Sequence, residues 1–165
     1  MNQRRLILLR HAKSSWDRPL TDHDRPLARR GLRDAPRMAQ WFSQHFDRPQ
    51  RVLCSTATRC RQTVEPFIRH LGIPSRDIRY DAALYHAGAG QLEATCMDEL
   101  EQFQSVMLVA HNPGLDGLLQ HLVADQVNYS SSGKLMTTAA MAIISLQAEG
   151  QTTLETLMRP RELSD

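Results

Sequence analysis

Three short segments carry the residues best suited to chemistry, and each stands directly after a run of apolar residues. Arg10, His11, Lys13 and Ser14 follow residues 4–9 (RRLILL), Ser55 and then Arg59 follow the run around 52–54, and His111 with Asn112 follows residues 106–110 (VMLVA). Two histidines with two arginines suit phosphoryl chemistry. Phosphoryl oxygens spread negative charge that planar guanidinium forks bind bidentately. A neutral imidazole can act as the nucleophile, carry the phosphoryl group and yield it to water. Neighbouring arginines favour the neutral ring, because like charge disfavours protonation. A helix opening at Asn112 would add unpaired N–H groups and a partial positive charge. Taken singly, each residue reads more readily as a structural group than as a catalyst; convergence on one edge of a sheet is what favours function.

That convergence depends on the intervening elements. Residues 4–9 end in an uninterrupted apolar run, LILL, which predicts a strand covered on both faces. After a polar loop holding Pro19 and Pro26, the spacing of Ala28, Leu32, Ala35, Ala39, Phe42 and Phe46 predicts a helix, kinked by Pro36. A strand at 52–54 comes next, then a helix with Val64, Phe67, Ile68 and Leu71 on one face, ended by Gly72 and Pro74. A brief strand is expected at 78–80, a helix through Leu92, Cys96, Leu100 and Phe103, and a buried strand at 106–110. Leu115, Leu118, Leu119, Leu122 and Val123 mark a further helix, with Asn112 as its cap and Pro113 in its first turn. Two closing strands, 139–146 and 152–158, meet at a turn of Glu149 and Gly150. Residues 1–165 therefore read as one α/β domain with a mostly parallel sheet flanked by helices, a class whose ligands gather at the carboxyl ends of the strands.

Composition narrows the classes. A chain of 165 residues, 41% apolar and 23% charged, can bury a core, which excludes a disordered tail. Its apolar runs are shorter than the ~20 residues of a membrane span. The polar start before Arg4 lacks a small-residue cleavage site, so no leader is expected and the cytoplasm is the default compartment. Twenty basic against 18 acidic residues give a net charge of +2, too balanced to argue for nucleic acid. Cys54, Cys60 and Cys96 fit neither a disulfide framework nor a zinc site. The histidines at 11, 23, 45, 70, 86, 111 and 121 include no i, i+4 pair, so no metal or other cofactor is implied.

The motifs LRHAKS (9–14), STATRCRQT (55–63) and VAHNPGL (109–115), in this order and at these distances, resemble those of the histidine phosphatase superfamily. The small size, DRPLARRG (24–31) and the HNPG form of the last motif are most similar to SixA-like phosphohistidine phosphatases. The resemblance covers nearly the whole chain and implies the phosphoglycerate-mutase-like fold, a three-layer α/β/α sandwich. It also implies His11 as nucleophile, Arg10 beside it, Arg59 as a second phosphate-binding arginine, His111 as a second histidine at the transferring group, and Arg25 as a further arginine of the pocket. Ser14 and Asn112 complete the expected phosphate-binding set.

Two departures qualify the likeness. The usual Arg-His-Gly reads Arg10-His11-Ala12, which implies an ordinary backbone conformation at residue 12. Mutases and broad-range phosphatases of the superfamily carry an acid between the second and third motifs; Asp81, His86 and Glu93 are only loose candidates for it. An alkoxide leaving group needs such an acid, whereas a phosphohistidine nitrogen leaves readily from a neutral or protonated ring. The expected substrate is thus a phosphorylated protein, such as a histidine phosphotransfer domain, reached through an unroofed site. The alternatives are a small-molecule phosphomonoesterase on the same fold and an inactive phosphate-binding relative. A cysteine-dependent phosphatase fails on register: counted from Cys54, the arginine position holds Cys60. Whether Cys60 responds to oxidants depends on its exposure.

Overall fold

The protein is described by a computed structural model over residues 3–164. Its sheet has six strands in the order β3-β2-β4-β1-β5-β6. These are β1 (Arg4–Arg10), β2 (Arg51–Ser55), β3 (Ile78–Asp81), β4 (Ser105–Ala110), β5 (Met141–Leu146) and β6 (Thr152–Met158). The first four run parallel, with β5 and β6 joined antiparallel at one side.

The alternation of side chains along a strand explains the layering. Ile7 and Leu9 of β1 enter one core with Met38 and Phe42 of α1 (Arg29–His45) and Phe67 of α2 (Thr58–Leu71). Leu6 and Leu8 enter the opposite core with Leu92 of α3 (Ala89–Leu100) and Leu115 and Leu118 of α4 (Gly114–Val123). The unbroken apolar run of β1 is thus required by two faces that are both covered. In β6, which is at an edge, half-buried and exposed residues alternate over 152–156 instead. Among the described residues no helix is long and apolar enough to cross a membrane.

Several boundaries shift from the sequence-based expectation. α2 opens at Thr58, before its apolar stripe begins, so its first turn carries Arg59 instead of core residues. α3 ends at Leu100, short of Phe103. β5 starts at Met141 because Ala139 turns the chain with φ of 65°. α4 begins at Gly114 with Pro113 at the cap position, one residue later than expected, and Asn112 before it accepts the Asp116 N–H at 3.0 Å.

One contact fixes the loop after β1. The start of α1 lies against Lys13 so closely that a Cβ at Gly31 would stand 2.3 Å from the Lys13 carbonyl oxygen. The same carbonyl accepts the Ala28 N–H at 2.8 Å, and Ser14 bridges Leu27. Only glycine allows this approach, which accounts for the last residue of DRPLARRG.

Candidate active site

β1, β2 and β4 deliver their final residues to one carboxyl edge, as parallel pairing demands. His11 leaves β1 and is 8% exposed; its Nδ1 lies 2.8 Å from the Ala12 carbonyl oxygen. A carbonyl only accepts, so Nδ1 carries the proton and Nε2 keeps a free lone pair. Burial, then the positive charge of His111, Arg59 and Arg10, lowers the His11 pKa to about 3, against the opposing pull of the Ala12 carbonyl. The ring is therefore neutral at physiological pH.

The loop holding His11 is tied to α2 through Thr63. Its hydroxyl accepts the Ala12 N–H at 2.9 Å and donates to the Arg59 carbonyl at 2.6 Å. His111 follows β4, 5.2 Å from the His11 ring centroid. An Arg59 Nη2–H donates to its Nδ1 at 3.4 Å, leaving Nε2–H to donate to Ser55 Oγ at 2.8 Å. Burial first, then Arg59, lowers the His111 pKa to about 4.

The arginines are held by different partners. Arg10 donates from Nη1 to the Met136 carbonyl at 2.9 Å, and Asn112 Nδ2 donates to that oxygen at 3.1 Å. Asn112 thus spends both polar ends on the scaffold, one on Met136 and one on α4. Arg59 donates to the Asp22 carbonyl at 2.7 Å and to Asp22 Oδ2 at 3.0 Å. Arg25 donates from Nε to Asp22 Oδ1 at 3.1 Å and from Nη1 to Ser14 Oγ at 2.8 Å, while its guanidinium stacks 3.5 Å over the Trp16 ring. Ser14 therefore positions Arg25. Arg10 and Arg59 each retain a buried Nε–H without an acceptor among the described residues. Arg5 and Arg79 do too, away from this edge, so the signal comes from the company of the two histidines.

Asp22 is the residue sequence reasoning missed. Its carboxylate joins Arg25 to Arg59 and accepts the Tyr85 hydroxyl; this hydroxyl, then the guanidiniums of Arg59 and Arg25, hold it well below the usual carboxylate range. It is thus an ionised counter-charge. His23 anchors the same turn through Thr56 Oγ1 at 2.9 Å and packs edge-on against Tyr85. Thr63 could have been found, since it closes the STATRCRQT motif, but nothing periodic marks Asp22 or Tyr85.

With this geometry in place, the comparisons with known proteins are specific. Residues 6–104 match the model of the histidine phosphatase superfamily (branch 1). The chain belongs to the histidine phosphatase superfamily. His111 lies beyond the matched span, so its place in the site rests on the contacts above. An uncharacterized protein of Mycobacterium tuberculosis is 38% identical over 114 residues, 67% of this chain and 66% of that one, so the match spans slightly less than two thirds of that relative. The phosphohistidine phosphatase SixA of Escherichia coli is 28% identical over 160 residues, 96% of this chain and 95% of its own. A crystal structure described as phosphohistidine phosphatase SixA from Agrobacterium tumefaciens superposes with a TM-score of 0.82 at 31% identity, covering 95% of this chain and 99% of that one. The SixA-like resemblance and the phosphoglycerate-mutase-like fold read from the motifs both hold.

The histidine phosphatase site also sorts the acid candidates. Asp81 accepts the Ala83 N–H and pairs with Arg79, and Glu93 pairs with His121. His86 alone stands by the site, against the Tyr85 ring at 3.9 Å and close enough to lower the His111 pKa. Between β3 and α3 there is only a short loop with one 3-10 turn, Ala82–Leu84. Cys54 and Cys60 are buried, and burial pushes the Cys60 thiol up to about 12, so neither is a thiolate nucleophile. Among the described residues no group of three His, Cys, Asp or Glu side chains could hold a metal ion.

Proposed function

We propose that this histidine phosphatase removes the phosphoryl group from phosphohistidine in a protein, with His11 as nucleophile. The observation that carries the reading is the His11 ring, with Nδ1–H committed to the Ala12 carbonyl and Nε2 free beside Arg10, Arg59 and His111. Nε2 attacks phosphorus as the bond to the substrate imidazole nitrogen breaks. A substrate ring protonated on its other nitrogen leaves as neutral imidazole and needs no acid from the enzyme. Water then attacks phosphorus, loses a proton and releases inorganic phosphate, restoring His11.

Arg10 and Arg59 have Nε–H donors to offer the phosphoryl oxygens, with Arg25 joining them as the dianion competes with Asp22 for the guanidiniums. The dianion offsets the burial and the Arg59 charge that together keep His111 neutral, so His111 takes up a proton and donates through Nδ1. Ser14 and Asn112 act here by holding Arg25 and the Met136 carbonyl in place.

The test is phosphate release by wild type and His11→Ala from a phosphohistidine-bearing protein, p-nitrophenyl phosphate and phosphoglycerate. Fast, His11-dependent release from phosphohistidine with little from the esters is expected. Preference for the esters would move the substrate to small metabolites, and release that survives His11→Ala would overturn the nucleophile.

A further inference from the structure

Beside the catalytic edge lies an open cleft of about 470 Å³, with Arg10 in its wall. Lys13, Arg30, the Ser130–Lys134 turn and Arg161 line the rest. Among the described residues, eight basic side chains face this cleft but only two acidic ones, Asp34 and Glu162. Both acids are already taken, Asp34 by Arg33 and Arg37, and Glu162 by Arg159. Lys13, Arg30, Lys134 and Arg161 have no carboxylate within ion-pair distance among the described residues; the one polar contact of the Arg30 guanidinium is Thr138 Oγ1 at 3.5 Å.

A chain of net charge +2 thus gathers a strong local excess of positive charge next to its nucleophile, which repels itself and focuses a positive field. A phosphoryl group already has its own arginines and does not require these. The side chains lining it are mostly charged or hydroxylated and the cleft is open, unlike the enclosing walls of a small-molecule pocket. At the catalytic loop, Trp16 stands 72% exposed and Leu20 39% exposed, apolar groups of the sort that anchor protein interfaces.

We propose that this cleft is the docking site for an acidic segment of the phosphorylated protein, several Asp or Glu side chains flanking the phosphorylated residue. The proposal rests on the reading that the substrate is a protein.

The test uses two synthetic phosphohistidine peptides of one sequence, flanked by three Glu or by three Gln, with wild type and the triple variant Arg30→Glu/Lys134→Glu/Arg161→Glu. All three replaced side chains are exposed and lie outside the catalytic set. Wild type is expected to prefer the Glu peptide by about tenfold in kcat/KM, the sum of three modest surface pairs. The triple variant should lose that preference while hydrolysing p-nitrophenyl phosphate as wild type does. Anisotropy of the labelled, unphosphorylated Glu peptide reads the cleft apart from turnover. Binding by wild type that the triple variant loses supports docking even if phosphohistidine is not turned over, a result that would count only against the proposed substrate. Equal rates on both peptides, or equal binding by the triple variant, would overturn the proposal. Tripolyphosphate binding tighter than the Glu peptide and abolished by the triple variant would assign the cleft to a small polyanion instead, also overturning it.

Discussion

Two concentrations of positive charge meet at Arg10, and they are built in opposite ways. In the catalytic centre Arg25 and Arg59 are each 6% exposed and share the Asp22 carboxylate, with both guanidiniums fixed by several acceptors. In the cleft Lys13, Arg30, Lys134 and Arg161 are exposed and pair with no carboxylate among the described residues. Burial with a counter-ion gives a fixed geometry that solvent hardly screens, at a cost in desolvation. Exposure without one gives a field that reaches outward but weakens with salt. Positioned bonds and long-range attraction thus come from separate sets of the same kind of side chain.

The comparison is broken most severely from the buried side. Arg59→Ala and His111→Ala should each lower kcat/KM on phosphohistidine by about 10²–10³-fold, the effect of removing one preorganised donor. Steady-state kinetics check this, with circular dichroism to show that the fold persists.

Acid probes the same centre through its neutral histidines. His11 and His111 have folded pKa values of about 3 and about 4, below the ordinary 6.5. Between those values the unfolded chain binds more protons, so stability is full above pH 6.5 and falls as pH drops towards 4. Urea midpoints should follow that fall, and His11→Asn should reduce its slope. In NMR the His11 ring should keep the shifts of a neutral Nδ1–H tautomer at pH 5, with titration near 6.5 counting against its burial.

A smaller effect is expected from Asp22→Asn, which removes the internal counter-ion. Inhibition by inorganic phosphate should strengthen several-fold as the arginines lose their competitor, whereas kcat falls because Arg25 and Arg59 lose a shared anchor. Phosphate inhibition constants check the first effect and saturating turnover the second. The mildest test is salt. Between about 0.05 and 0.5 M, where the Debye length shrinks from above to well below ~10 Å, kcat/KM on a Glu-flanked peptide should drop several-fold. The rate on p-nitrophenyl phosphate should change less than about twofold over that range, since its arginines are buried.

What could be read from the sequence follows from how locally each feature is specified. The β1, β2 and β4 runs announce themselves because both faces of those strands need apolar side chains, and their ends put Arg10, His11, Ser55 and His111 on one edge. Arg59 is legible from the motif although α2 starts earlier than its apolar stripe. Asp22 and Tyr85 lie in irregular segments 63 residues apart and meet only through tertiary folding, so no pattern links them. Pro113 stands at the cap of α4 and not in its first turn, a shift of one residue that the sequence pattern does not mark. The cleft was invisible for the same reason, its bases being scattered from Arg10 to Arg161 in a chain of nearly balanced charge.

The close approach at Gly31 has a consequence for partner choice. With the Lys13 carbonyl set against the start of α1, the loop carrying His11 and the helix carrying Arg30 form one rigid piece. The backbone offset between His11 and Arg30 is then set by this contact. If the cleft docks an acidic segment as proposed, a protein held there would reach His11 only with its phosphorylated residue at the matching offset, so partners would be sorted by spacing as well as by charge.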